Sequence, residues 1–314
     1  MRPLAAFSTI LLLQGPAIRE YPLPRPNAFP HDVAVAADGS VWYTDQANSF
    51  IGRLDPVTGA VTDIATPTRE SGPHGIVVAP DGIIWYTGNA AGIIGRLDPR
   101  TGTIREFKLP PAARDPHTPA IHGGMVWFTV QGANLYGRLD PATGDVKLWP
   151  LPQTRSLPYG LVNAPDGMLY MAELGGDRIG RIDPATGALK EFTLPDAGAR
   201  PRRLVVDTKG IVWYTDFARG FLGRLDPATG AAREFASPGG TASRPYGIAI
   251  RADGKICYDE SAKNTIVLFD PETEKMATVE IPTHGSVVRN MSVDSARKRV
   301  WLPLSGIGRL GEVN

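Results

Sequence analysis

Short apolar runs rich in β-branched and aromatic residues recur along the chain, each closed by a turn. One stretch shows the plan: Gly75 to Ala79, the turn Pro80-Asp81-Gly82, then Ile83 to Thr87. An Asp-Gly between two such runs predicts a β-hairpin. Ile93 to Leu97 supplies a third strand, Asp98 to Gly102 a turn, and Thr103 to Leu109 a fourth strand whose side chains alternate. No sustained helical period occurs anywhere in the chain.

That four-strand unit returns. Ile51-Gly52-Arg53-Leu54-Asp55-Pro56 recurs as Ile94 to Pro99, Tyr136 to Pro141, Ile179 to Pro184 and Leu222 to Pro227. It is degenerate at Val267 to Pro271 and cut short at Ile307 to Leu310. A second marker falls at Trp42, Trp85, Trp127, Tyr170, Trp213, Cys257 and Trp301, in steps of 42 to 44 residues. Four strands at that period predict an all-β fold, a seven-bladed β-propeller. Ile18 to Pro24 has the pattern of an outermost strand, and the chain ends after a third strand at Arg309-Leu310. The first strand is therefore expected to complete the last blade and close the ring, leaving no open edge. Residues 18–314 read as one domain.

Composition narrows the functional classes. Lys+Arg 33 against Asp+Glu 32 gives a net charge of +1, without the basic balance of a nucleic-acid binder. Gly 35 and Pro 29 fit a turn-rich chain. The single cysteine, Cys257, excludes an intrachain disulfide framework, and its place in the tryptophan series predicts a buried, inert thiol. No apolar run is long enough to span a membrane. Arg2 followed by the apolar stretch Leu4 to Leu13 and small residues to Ala17 predicts a weak signal peptide at 1–17. The mature protein is then expected in the periplasm or outside the cell, or in the cytoplasm if the leader stays.

Residues that repeat in nearly every blade, such as Arg53 and Asp55, are expected to fix turns and blade contacts. The tryptophans are expected to fill the core. His122 falls at the turn between the first two strands, on the opposite face. Function is sought where the repeats differ. The residue opening each innermost strand is His31, His74, His117, Tyr159, Arg202, Tyr246 and Arg289 in turn. All seven should converge on one mouth of the central channel. The second strand, antiparallel to the first, ends at the same mouth with Asp45, Gly88, Val130, Glu173, Asp216, Glu260 and Leu304. Three imidazoles at one mouth suit proton transfer near neutral pH. Nearby carboxylates suit a hard divalent cation.

The blade phrases Pro73-His74-Gly75-Ile76, Asp81-Gly82, Trp85-Tyr86-Thr87, Ile94 to Leu97 and Glu106 to Pro110 resemble the virginiamycin B lyase (streptogramin lyase) family. The likeness runs over residues 18–314. It implies Mg²⁺-dependent opening of a cyclic depsipeptide ester by elimination, a route to antibiotic resistance. The resemblance also implies His117 or His74 as the base, while the make-up of the ring itself suggests a small-molecule substrate held by His31, Tyr159, Arg202, Tyr246 and Arg289. Asp115 and Asp45 match family carboxylate positions, and together with Glu173 and Glu260 at the same mouth they are expected to supply contacts to Mg²⁺ or Ca²⁺. The chain departs from the family pattern at Val130, in the strand-end position beside His117, and at Phe29, two residues before His31. Two other readings fit a propeller: a gluconolactonase-like metal-dependent hydrolase and a non-catalytic exported binding protein. A closed ring needs no partner to cover its edges, so a monomer is expected.

Overall fold

The computed structural model describes residues 17–314; the leader read at 1–17 lies outside them except for its last residue. Seven four-stranded antiparallel sheets form the ring. With strands named a to d from the channel outward, blade 1 takes Pro30–Val35, Val41–Asp45, Phe50–Leu54 and Val61–Ala65. The order repeats through blade 6, at Pro245–Ile250, Ile256–Glu260, Thr265–Phe269 and Met276–Glu280. Blade 7 uses Ser292–Asp294, Arg299–Leu304 and Arg309–Val313, and its outermost strand is Ile18–Pro22. Ile18 lies opposite Val313 and Tyr21 opposite Leu310, as the terminal patterns predicted. Tyr21 donates to Glu312 at 2.6 Å across 291 positions of sequence. Among the described residues no helix is long and apolar enough to cross a membrane.

The repeated residues have structural tasks. Asp55 accepts from the backbone N–H of Val57 at 2.9 Å, and Asp98, Asp140, Asp183 and Asp226 hold the matching turns. A Cβ at Gly52 would land in the ring of Tyr43. The missing side chain lets that tyrosine cross strand c and donate to Asp63 at 2.8 Å. Tyr86 reaches Glu106 over Gly95 in the same way. Trp42 packs with Ile76, Ile84 and Tyr86 of the next blade, so the core lies between blade faces. Cys257 is fully buried, and burial pushes its thiol up to about 12.

A register shift interrupts strand a just after its proline in blades 1 to 6, between Pro30 and Val33 in blade 1 and between Pro73 and Ile76 in blade 2. Such bulges re-aim side chains. Here each one frees two consecutive residues from ordinary alternation. The threonine of the Trp-Tyr-Thr phrase secures the bulge and ties it to its neighbour. Thr44 accepts from Asp32 N–H at 3.1 Å and donates to the carbonyl of His74 at 2.7 Å. Thr87 links Gly75 to His117 likewise, and Thr129 links Thr118 to Tyr159. The ring is thus positioned blade by blade. Thr87→Val keeps the shape but orphans a buried N–H and a buried C=O. It is expected to cost about 1–3 kcal/mol in urea unfolding, with an unchanged m-value.

Candidate functional site at the channel mouth

The bulged positions bring the expected ring together. The rings of His31 and His74 pack tilted with centroids 3.7 Å apart, those of His74 and His117 at 3.8 Å, and those of His117 and Tyr159 at 3.9 Å. Across the mouth the hydroxyls of Tyr159 and Tyr246 are hydrogen-bonded to each other. The Arg202 guanidinium lies 3.6 Å from the Tyr246 centroid and 4.2 Å from that of Phe217, and donates to the Tyr159 hydroxyl at 3.3 Å. Arg289 stands 5.1 Å from the Phe29 ring.

The three imidazoles are buried, and burial lowers their affinity for a proton. For His74 and His117 the shift is large, deepened by the neighbouring ring groups. At His31 burial is partly opposed by Asp32, whose carboxylate lies 2.9 Å from Nδ1. A carboxylate can only accept, so Nδ1 of His31 carries the proton and Nε2 keeps a free lone pair. His117 Nδ1 meets the Thr118 hydroxyl at 3.1 Å, while His74 Nδ1 is buried without a partner.

Beneath the ring lies a layer that the sequence reading passed over. The residue after each ring member is Asp32, Gly75, Thr118, Gly160, Arg203, Gly247 and Asn290. Its four polar members meet across the channel. Arg203 Nη2 is 2.7 and 3.0 Å from the two oxygens of Asp32, Asn290 Nδ2 donates to Asp32 at 2.7 Å, and Arg203 Nη1 reaches the Thr118 hydroxyl at 3.4 Å. Burial alone would raise the Asp32 carboxyl, but Arg203 and His31 outweigh it and hold it well below the usual range. This layer floors the mouth. Under it a cavity of about 280 Å³ continues down the channel, walled by Val33, Val35, Val77, Val162 and Val205.

The strand-b ends reach the same mouth, Asp45 opposite Pro30 and Glu260 opposite Pro245. Their oxygens serve the surrounding loops. Asp45 accepts from Phe29 N–H at 3.0 Å and from Asn48 at 2.8 Å. Glu260 accepts from Gly239 N–H at 2.7 Å and from Thr265 at 2.9 Å. Asp115 accepts from Gly132 N–H at 2.7 Å. Glu173 is fully buried with both oxygens unpartnered. Burial, with Glu191 adding, raises it to about 7. Blade 4 has Met171 where Tyr43 and Tyr86 stand in blades 1 and 2, so Glu191 has no tyrosine donor there.

The donors that do converge are His31, Asp32 and His74, with ligand atoms within 4.8 Å of one another. Their chemistry does not fit Mg²⁺ or Ca²⁺, which select a shell of oxygens. Two of the three are imidazoles. The only carboxylate already takes two contacts from Arg203, one from Asn290 and one from His31. A cation there would also sit beside a buried guanidinium.

Buried acids set a pH dependence. Burial raises the Asp259 carboxyl from 3.8 to about 8. A proton held when folded and lost when unfolded makes stability fall as pH rises between those values. The lowered imidazoles act oppositely, but only below the ordinary imidazole value of 6.5. Net loss is therefore expected between pH 6.5 and 8. Asp259→Thr, which restores the threonine of other blades, should flatten it in melts across that range.

Comparison with known proteins agrees with this architecture. The family model described as the Virginiamycin B lyase family matches residues 10–267. A structure of a streptogramin B lyase superposes with a TM-score of 0.88 at 26% identity, over 95% of this chain and 97% of that one. A virginiamycin B lyase from Staphylococcus aureus superposes at 0.88 with 24% identity, over 96% and 99% of the two chains. A catalytically inactive variant of that lyase with quinupristin gives 0.89 at 24% identity over the same shares. No curated protein matches the chain. The family match covers most of the blades described above, and this chain belongs to the virginiamycin B lyase family.

Proposed function

We propose that the chain is a carbon–oxygen lyase that opens an ester or lactone by elimination at the channel mouth. The observation that carries this reading is the neutral imidazole arc, with His31 held by Asp32, facing the phenols and guanidinium of Tyr159, Tyr246 and Arg202. His31 is the preferred base. It alone has a fixed tautomer with its free lone pair on Nε2, and its proton affinity is lowered least. His74 and His117 pack in a row behind it, both buried. Nε2 takes the proton α to the carbonyl, Arg202 and the tyrosine hydroxyls donate to the developing enolate oxygen, and the β-carbon–oxygen bond breaks. A C=C bond forms and the ester leaves as a carboxylate, so no water enters the product.

The cation implied by the resemblance has no role in these steps. Each proton and each donor comes from groups of the chain itself. Incubation with quinupristin, followed by mass spectrometry, tests the reading. Elimination yields a ring-opened product of unchanged mass with a new unsaturated absorbance. A product heavier by one water would make the protein a hydrolase, and binding without any product would make it a ligand-binding propeller.

A further inference from the structure

Beside the ring, on its cationic side, a pocket of about 300 Å³ opens between blades 5, 6 and 7. Its lining includes Arg202, Phe217, Arg244, Tyr246, Val287 and Arg289, and no carboxylate. Three guanidinium groups face one space without a counter-charge. The Nε atoms of Arg202 and Arg289 are buried and unpartnered. Phe217 lies between Arg202 at 4.2 Å and Arg244 at 5.8 Å. Asp259, behind the wall, has its oxygens taken by Ser261 and by Gly247 N–H.

Arg244 precedes the proline of strand a with φ +55°, in the left-handed region. The corresponding positions of blades 2, 4 and 7 share that conformation, with Gly72 at +59° and Leu157 and Val287 at +48°, so glycine fits there without strain.

We propose that this pocket binds a carboxylate, so that anionic esters or lactones are taken in preference to uncharged ones. The assignment deepens the lyase reading and rests on it for the esters and lactones. Arg244 and Arg289 pair with the carboxylate oxygens, and Arg202, already over the rings of Phe217 and Tyr246, adds its charge to the pocket. The scissile ester then reaches the imidazole arc.

The test uses benzoate as probe and benzamide as its uncharged match, by calorimetry on the full chain. Benzoate is expected to bind the wild type and benzamide to bind at least about tenfold more weakly, the loss of one charge-assisted contact. Arg244→Gly relieves the backbone, so it should melt no lower than wild type and yet bind benzoate at least about tenfold more weakly. Absence of benzoate binding to the wild type overturns the proposal. Equal binding of benzamide, or unchanged affinity in Arg244→Gly, overturns it too. His31→Ala separates the two readings: retained benzoate affinity with turnover lost upholds both. Benzoate binding without turnover of any ester in the wild type leaves the anion site standing and removes the lyase.

Discussion

Arg203→Met is expected to destabilise the protein by about 3–5 kcal/mol, the cost of leaving a buried charge without its partner. Arg203 contacts both oxygens of Asp32 at the floor of the mouth, and both residues are buried. Asn290 and His31 remain, but neither supplies a positive charge at neutral pH. The sign of the Asp32 contribution to the pH dependence should also change. In the wild type the Asp32 carboxyl is depressed, so its stabilisation is present above the unfolded value of 3.8 and disappears only as pH falls below it. Without Arg203, burial dominates and raises the carboxyl, so stability then falls as pH rises above 3.8. Urea unfolding at pH 5 and pH 8 reads both effects. The double variant Asp32→Asn, Arg203→Met should regain most of the loss, because no lone charge remains. If Arg203→Met unfolds like the wild type at both pH values, the floor contributes nothing to the fold.

Loss of the base is expected to affect turnover and little else. His31→Ala should lower kcat about 10²- to 10⁴-fold, the usual range for a positioned general base, while the melting temperature stays near that of the wild type. The floor loses one contact but keeps its main ones, since Asp32 retains Arg203 and Asn290. His74→Ala opens space between two packed rings, so a smaller kcat loss with a raised KM is expected there. A greater kcat loss in His74→Ala or His117→Ala than in His31→Ala would move the base to that ring.

Much of this architecture is legible in the sequence because propeller blades solve one packing problem seven times. Gly52 and Gly95 recur since a tyrosine must cross them, and Asp55 and Asp98 recur since each closes the same turn. The ring of His31, His74 and His117 is legible for the opposite reason: it varies where the frame does not. The floor escaped because strict alternation sends the residue after His31 away from the channel. The bulge between Pro30 and Val33 cancels that rule. A signal was present, since glycine stands there at Gly75, Gly160 and Gly247 and polar groups stand there at Asp32, Thr118, Arg203 and Asn290. For Asp45 and Glu260 the sequence placed the backbone at the mouth but not the direction of the oxygens. That direction is set by loop amides at Phe29 and Gly239, which no periodicity encodes.

The seam in blade 7 governs the order in which the molecule can form. Tyr21 and Glu312 are bonded across 291 positions, nearly the whole chain. Contacts of such separation form late, after local hairpins have closed. Each of the first six blades can be built from its own consecutive strands, but the seventh needs a strand from before them and three from after them. Until Arg309–Val313 has been synthesised, Ile18–Pro22 has no strand to pair with. The growing chain therefore carries open sheet edges, the surfaces most prone to pairing with another molecule, for almost its entire synthesis.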